Sequence, residues 1–405
     1  MNSDILNVDN HVLVDNAIVD CQIFDHPPYA NTTYNNSDEI RIPLQTKDIY
    51  TLPSKSYLYI EGRLTDSEGK ESATLNFVNN GLAHLFDEIR FEIGGCVIDR
   101  VRNPGITSTL KGYISFTESE SNRLNASGWN PTLTPQIVDS QGYFNVCIPL
   151  RMLLGFFEDY KKIIINIRQE LVLIRSSTDL NAIISTKANE KPKIELTKMF
   201  WKLHHVQVSD IEKLRLINHM DAGKKLELDF RSWELHEYPL LQQSTRHTWN
   251  IKTTNSVEKP RYVIVGFQTN KKNDASKNMS RFDHCNLTNM KLYLNSQMYP
   301  YTNLNLNFEK NIYAILYEMY ANFQENYYYK DIGEPCLSNL KFRDLATITV
   351  IDCSNQNDSL KSGSVDIRLE FETSKNISAN TTAFCLIIHD KSIKYNPLTN
   401  VVSNF

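Results

Sequence analysis

The sequence lacks a surplus of positive charge. Its 405 residues carry 43 Lys and Arg against 47 Asp and Glu, a formal net charge of −4. A chain without a broad cationic field does not condense nucleic acid by releasing counterions, so neither genome coating nor sequence-specific nucleic-acid reading is expected of it. Long apolar runs are missing as well. No run approaches the length of about eighteen residues that a membrane-spanning helix needs, so no membrane span is expected. The opening segment MNSDILNVDNHVLVDNAIVD has neither the basic nor the apolar region of a secretory signal.

Chemical motifs are absent in the same way. GxxxxGK[ST] and GxGxxG do not occur, so no phosphate cradle is expected, and Gly94-Gly95 reads as a hairpin turn. GxSxG is missing, and Ser362-Gly363-Ser364 lacks its flanking glycines. The seven cysteines (Cys21, Cys96, Cys147, Cys285, Cys336, Cys353 and Cys385) form no CxxC pair and are odd in number, which predicts buried reduced thiols. N-x-S/T sites, among them Asn125, Asn286 and Asn376, carry little meaning in a chain that is not expected to be secreted. His204 and His205 are adjacent, so on a strand they point to opposite faces, and His236, His247 and His284 stand apart. The metal cluster of a cupin-type enzyme is therefore not expected. The sequence predicts no catalytic residue, no cofactor-binding residue, no metal ligand and no cofactor, and the chain is not read as an enzyme.

What is present is alternation. In Leu85 to Ser115, Ile89, Phe91 and Ile93 share one face while Arg90 and Glu92 share the other, the period of a half-buried strand. Gly94-Gly95 turns the chain, Cys96-Val97-Ile98 resumes it, and Asn103-Pro104-Gly105 breaks it. Leu110, Tyr113 and Ile114 then recur at helical spacing, with Thr107 or Ser108 as the expected cap. A comparable unit spans Asn286 to Glu325. Met290, Leu292 and Leu294 alternate, Asn295-Ser296 turns, and Ile312, Ile315, Leu316, Met319 and Phe323 mark an amphipathic helix. Two β-rich halves with a helix at a similar place predict a duplicated domain.

Further strands are expected at Ile40 to Leu44, Tyr57 to Leu64, Tyr143 to Leu150 and Lys198 to Ser209, with one long strand from Ile163 to Ser176. In the second half they are expected at Leu226 to Phe230, Arg246 to Thr254, Tyr262 to Thr269, Leu345 to Ile351, Val365 to Phe371 and Ala383 to His389. Glu118 to Gln141, rich in Ser, Asn and Pro, reads as a long loop, as does Asn270 to Arg281. The segment YYYKDIGEPC reads as a tyrosine-rich turn. Glu158-Asp159 and Asp87-Glu88 are expected in solvated turns or on loop amides, and the aromatic runs Phe156-Phe157 and Tyr327-Tyr328-Tyr329 in core or interface. The domain plan is an N-terminal arm over 1–37, a first roll over 38–215, a second over 216–395 and a tail over 396–405. The fold class is all-β with a few short helices: two tandem eight-stranded jelly-roll β-sandwiches, a double jelly roll.

FDEIRFEIGGCVIDRVRNPGITSTLKGYIS, together with Val146 to Ser176, VCIPLRMLLGFFEDYKKIIINIRQELVLIRS, resembles the major capsid proteins of Maverick or Polinton elements and adintovirus-like viruses. Those are similar to the double jelly-roll capsid proteins of the adenovirus and tectivirus lineage of double-stranded DNA viruses. The resemblance is densest over Tyr57 to Asn181, and the second half matches by layout. It implies a structural protein that forms a homotrimer, a pseudo-hexameric capsomer that self-assembles with neighbouring capsomers into an icosahedral shell, and a place in the virion capsid after assembly inside the host cell. A minor penton protein is an implied partner, a pairing of Asp87 with Arg90 is left open, and the long loops at 118–141 and 270–281 are expected to project outward or meet neighbours. The alternative is a lectin-like β-sandwich that holds glycans on loop aromatics.

Overall fold

The computed structural model describes residues 17–30, 33–44, 50–72, 74–165, 167–187, 190, 192–221, 225–254, 259–356 and 364–404. The first half holds β1 (Ile18–His26), β2 (Glu39–Leu44), β3 (Tyr50–Thr65), β4 (Leu75–Phe77), β5 (Phe86–Ile93) and β6 (Cys96–Arg102). Helices α1 (Pro104–Ser115) and α2 (Glu118–Leu124) follow, then β7 (Tyr143–Pro149), α3 (Gly155–Asp159), β8 (Ile164–Ile165), β9 (Gln169–Arg175), β10 (Ile183–Ser185) and β11 (Lys193–Val208). After α4 (Asp210–Asp221) come β12 (Leu226–Tyr238), β13 (Arg246–Thr254), β14 (Pro260–Thr269), β15 (Leu287–Leu294) and β16 (Gln297–Tyr299). The chain ends through α5 (Ala314–Ala321), α6 (Phe323–Tyr328), α7 (Asn339–Leu345), β17 (Ile348–Asp352), β18 (Val365–Thr373), β19 (Thr381–Asn396) and β20 (Val401–Asn404).

Each half is a sandwich of two antiparallel sheets. In the first, β1-β11-β3-β7 faces β2-β9-β5-β6; in the second, β12-β19-β14-β17 faces β13-β18-β15-β16. Setting aside β4, β8, β10 and β20, and ranking each half's strands by position, both halves have the order 1-8-3-6 over 2-7-4-5. That is one eight-stranded jelly roll made twice, and in both the main helices fall between ranks five and six. Alternation drives it. The burial pattern of β18 puts Val365, Ile367, Leu369 and Phe371 inside and leaves Asp366, Arg368 and Glu372 outside, so one face of the strand supplies the core.

Several expectations need correction. The segment 1–37 was expected to be an arm, but Ile18–His26 pairs along β11; its sparse apolar content reflects an exposed edge position. Residues 1–16 lie outside the described residues. The 396–405 tail likewise contains β20, paired with β19. Ile163 to Ser176 is two strands in different sheets, β8 on β3 and β9 between β2 and β5. Glu118 begins a helix, because Thr117 and Glu120 form a reciprocal capping box. Leu345 closes α7 instead of opening a strand, and Tyr327 and Tyr328 end α6 instead of forming a turn. Asn103, with Pro104 at the first helical position, caps α1 in place of Thr107 or Ser108. Ile312 precedes α5 and is exposed, as is Ile315. Cys336, Cys353 and Cys385 are buried, whereas Cys21, Cys96 and Cys147 are exposed because they sit on outward positions of their strands.

Candidate functional site

The two rolls meet across helix α1, all twelve residues of which are buried. Lys111 lies at its centre. Its side chain is 3% exposed, and its ammonium donates to Glu158 Oε1 at 2.9 Å, Ser115 Oγ at 2.7 Å and Tyr328 OH at 2.9 Å. Those three acceptors use all three of its protons. Glu158, on α3 of the first roll, also accepts from Tyr327 OH at 3.2 Å and from Tyr328 OH, both on α6 of the second. Burial pulls the Lys111 pKa down against the attraction of Glu158. Burial, and then the nearby Glu158, pushes both tyrosines well above the usual phenol range.

Asp159 makes the second pair. Arg231 on β12 clamps it with Nε to Oδ2 at 2.8 Å and Nη2 to Oδ1 at 2.6 Å, and the Arg231 amide donates to Oδ2 at 2.9 Å. The remaining guanidinium nitrogen, Nη1, donates to Tyr327 O at 2.9 Å, and the guanidinium lies 3.5 Å from the Tyr327 ring centroid. Burial opposes the Arg231 charge, but the Asp159 bonds together with the attraction of Tyr327, Asp159 and Glu158 outweigh it and raise its pKa. Gly155 sits at this crossing because a Cβ there would collide with the Arg231 carbonyl. A fully buried Asp99 adds a third tie, accepting from Phe156 N at 2.9 Å in its own roll and Ser232 Oγ at 2.8 Å in the other.

More bonds cross around this centre. Tyr320 OH donates to Tyr113 O at 3.0 Å, Gln324 Nε2 to Phe116 O at 3.1 Å and Lys391 Nζ to Ile98 O at 2.8 Å. The 270–281 segment, expected to project, docks on the first roll instead: Ser185 N donates to Ala275 O at 2.7 Å and Tyr113 OH to Ser280 O at 3.0 Å. The 118–141 segment is also anchored, by a fully buried Trp129 against Gly112. Two cations and two carboxylates close on one another here, with hydroxyls filling the remaining positions. Such a cluster is costly to desolvate but fixes one arrangement of its partners, because removing any member strands a buried charge. It holds two sandwiches in one orientation.

Other residues singled out by sequence lie elsewhere. Arg90 bonds Glu88 at 3.2 Å and Glu92 at 3.0 Å and reaches Glu39 at 3.4 Å, so its partners are these three and not Asp87. Phe156, Phe157 and Tyr327 are core residues, and only Tyr329 of the tyrosine run is exposed, at 91%. Ser362 and Gly363 lie outside the described residues. Among the described residues no three His, Cys, Asp or Glu side chains converge as metal ligands, and no helix is long and apolar enough to cross a membrane. The pair His26 and His205, with Nε2 atoms 3.0 Å apart across β1 and β11, was not foreseen. Glu158-Asp159 was expected in a solvated turn or on loop amides; Asp159 does accept one amide, that of Arg231, but the charged partners Lys111 and Arg231 are 47 and 72 residues away, so local sequence carries no signal of them.

The whole chain superposes on solved structures. It is similar to the mavirus major capsid protein over 100% of this chain and 93% of that one, with TM-score 0.61 and 9% identity. The Faustovirus major capsid protein matches over 95% of this chain and 92% of that one, with TM-score 0.60 and 9% identity. VP54 of PBCV-1, fitted into a reconstruction of the virophage Sputnik, matches over 98% of both chains with TM-score 0.59 and 11% identity. A search of curated protein sequences finds no match. Residues 75–393 match the family described as "Double jelly roll-like domain"; with the same strand order present twice and the match spanning most of the chain, this protein belongs to that double jelly-roll family.

Proposed function

We propose that the chain is a major capsid protein, three copies of which close into a pseudo-hexameric capsomer that tiles an icosahedral shell. The observation that carries this is the repetition of one eight-stranded roll, joined rigidly to its copy through the Lys111, Glu158, Asp159 and Arg231 cluster. Three such chains place six equivalent sandwiches around an axis, and closed symmetry then brings the same patches together at each step. The division falls at α4, into rolls over about 38–215 and 216–395, with β1 and β20 adding to them.

The ring needs a second contact like the one inside the chain. Within the chain, β12, rank one of the second roll, packs on the first roll through Arg231, Ser232 and Gly155. Its counterpart β1, rank one of the first roll, lies bare, with Ile18 53%, Val19 63%, Ile23 52% and Phe24 45% exposed. In the trimer that strand meets the second roll of the next copy, an obligate interface of about 2,000 Å² or more. On this reading the protein resides in the virion capsid, with neighbouring capsomers and a minor penton protein as partners and no chemistry of its own. The lectin-like alternative loses Phe156, Phe157 and Tyr327, which are buried, and keeps Tyr329 as the one exposed ring of those runs. Negative-stain microscopy of the purified protein tests the reading. Six-lobed particles or closed shells are expected, and a field of two-lobed monomers at micromolar concentration contradicts it.

A further inference from the structure

We propose that β1 of a second copy docks on one particular face of the second roll, the outer edge that runs from β16 to α5, so that copies join head to tail by unlike, apolar faces. This rests on the capsomer reading above and names the receiving half of its seam. The chain carries its own template for the contact. Inside it β12, rank one of the second roll, lies against β6, rank five of the first. Ser232 Oγ on β12 donates to Asp99 Oδ1 on β6 at 2.8 Å, and Asn103 Nδ2, just past β6, donates to Glu237 Oε1 at the far end of β12 at 2.7 Å. Lys391 Nζ, on β19 beside β12, donates to Ile98 O of β6 at 2.8 Å. Rank one on rank five is therefore the seam that this fold makes. Applied once more, it sets β1, the remaining rank-one strand, on β16, the remaining rank-five strand.

β16 is open to receive it. Like β6 it is the last strand of its sheet, and among the described residues it pairs with β15 alone. Asp99 of β6 is fully buried beneath the second roll, whereas Gln297, Met298 and Tyr299 of β16 stay half-buried and Tyr301, just beyond, is 80% exposed. Past β16 the chain keeps beside β15, Leu304 N donating to Asn289 Oδ1 at 3.1 Å and Leu306 N to Thr288 O at 2.8 Å, before it reaches Ile312 and α5. The helices repeat the contrast. α1, which follows rank five in the first roll, is wholly buried, partly by Tyr320 and Tyr328 of the second. α5 follows rank five in the second roll, yet Ile315 on it and Ile312 before it are exposed. Single exposed apolar residues are ordinary, but here they line the one edge whose counterpart is covered. Their chemistry suits the aliphatic and aromatic side chains of β1, since Met and Tyr are favoured where interfaces bury their centres. The seam inside the chain is locked by charge, through Arg231 and Asp159. The outer seam is apolar on both sides, so separate copies can meet and part without stranding a buried charge.

Unlike faces predict a result that a contact between like faces cannot give. Val19→Lys with Ile23→Lys spoils the docking strand, and Met298→Glu with Tyr301→Glu spoils the receiving edge. Sedimentation velocity is expected to show each variant alone as a monomer, and their mixture, at up to about 100 μM of each, as a species of two chains. One intact strand there meets one intact edge, and the ring cannot close. Melting curves establish that each variant is folded; Tyr301→Glu alone replaces the second pair if it is not. A receiving-edge variant that still forms trimers overturns this proposal and leaves the capsomer reading standing. Two monomeric variants whose mixture holds no two-chain species also overturn it, because strand and edge are then not partners. A parent chain that stays monomeric overturns the capsomer reading, and this proposal with it.

Discussion

β1 and β12 hold the same rank in the two rolls, each at the edge of its sheet beside the roll's last strand, yet they differ in what covers them. β12 buries Phe230, Ser232 and Trp233 against the first roll, whereas every residue of β1 is exposed or only half-buried. Topology alone therefore does not decide burial; the neighbouring roll does. One copy of the contact is made inside the chain; in the proposed trimer the other is made by a second molecule.

The largest expected effect comes from breaking the internal contact. Lys111→Ala leaves Glu158 buried without its cation and is expected to cost about 3–5 kcal/mol, read from urea unfolding. Replacing the set together, Lys111→Met with Glu158→Leu and Tyr328→Phe, is expected to recover most of that loss, since apolar groups of similar volume are often as stable as a buried pair. Gly155→Ala, which drives a methyl into the Arg231 carbonyl, is expected to cost about 1–3 kcal/mol by the same measurement.

Acid sharpens the comparison between rolls. Burial lowers the pKa of four first-roll histidines, His26, His84, His204 and His205, with His84 at about 3 and His205 at about 4, and of one in the second roll, His284. The unfolded chain takes up these protons near 6.5. Their contribution to stability is full above that value and is lost as pH falls from 6.5 toward 4. In the second roll Glu234 is held at about 2: burial raises it, but bonds from His236 and Lys252 win. Its contribution persists above 4.5 and fades only in stronger acid. Hydrogen exchange at pH 5 is therefore expected to quicken in β1 and β11, where His26 faces His205, before it quickens in β12 and β19. Equal loss in both rolls would remove this distinction. The smallest effect on the single chain belongs to Val19→Lys with Ile23→Lys. On exposed positions these shift unfolding by only about 0.5 kcal/mol, yet they are expected to abolish trimer formation in size-exclusion chromatography.

Much of this fold is legible in the sequence wherever one strand face is buried. Ile89, Phe91 and Ile93, or Val365 to Phe371, announce their strands because alternation is the direct imprint of a one-sided core. β1 escaped notice for the complementary reason, since an exposed strand leaves no such imprint. Ile163 to Ser176 misled because an apolar run does not reveal where a chain passes from one sheet to the other. α2 was hidden by Ser and Asn, although the Thr117 and Glu120 spacing of a capping box was there to be read. The cluster at the junction was beyond local reading. Lys111, Glu158 and Tyr328 come from three distant segments, and only the duplicated fold brings them together.

The central claim is that β1 awaits a second copy as β12 already has the first roll. Multi-angle light scattering on the purified chain at micromolar concentration measures this directly. The account predicts the mass of three 46.8 kDa chains, collapsing to one in the Val19→Lys, Ile23→Lys variant. A monodisperse monomer for the parent chain, or a trimer indifferent to those two substitutions, would contradict it.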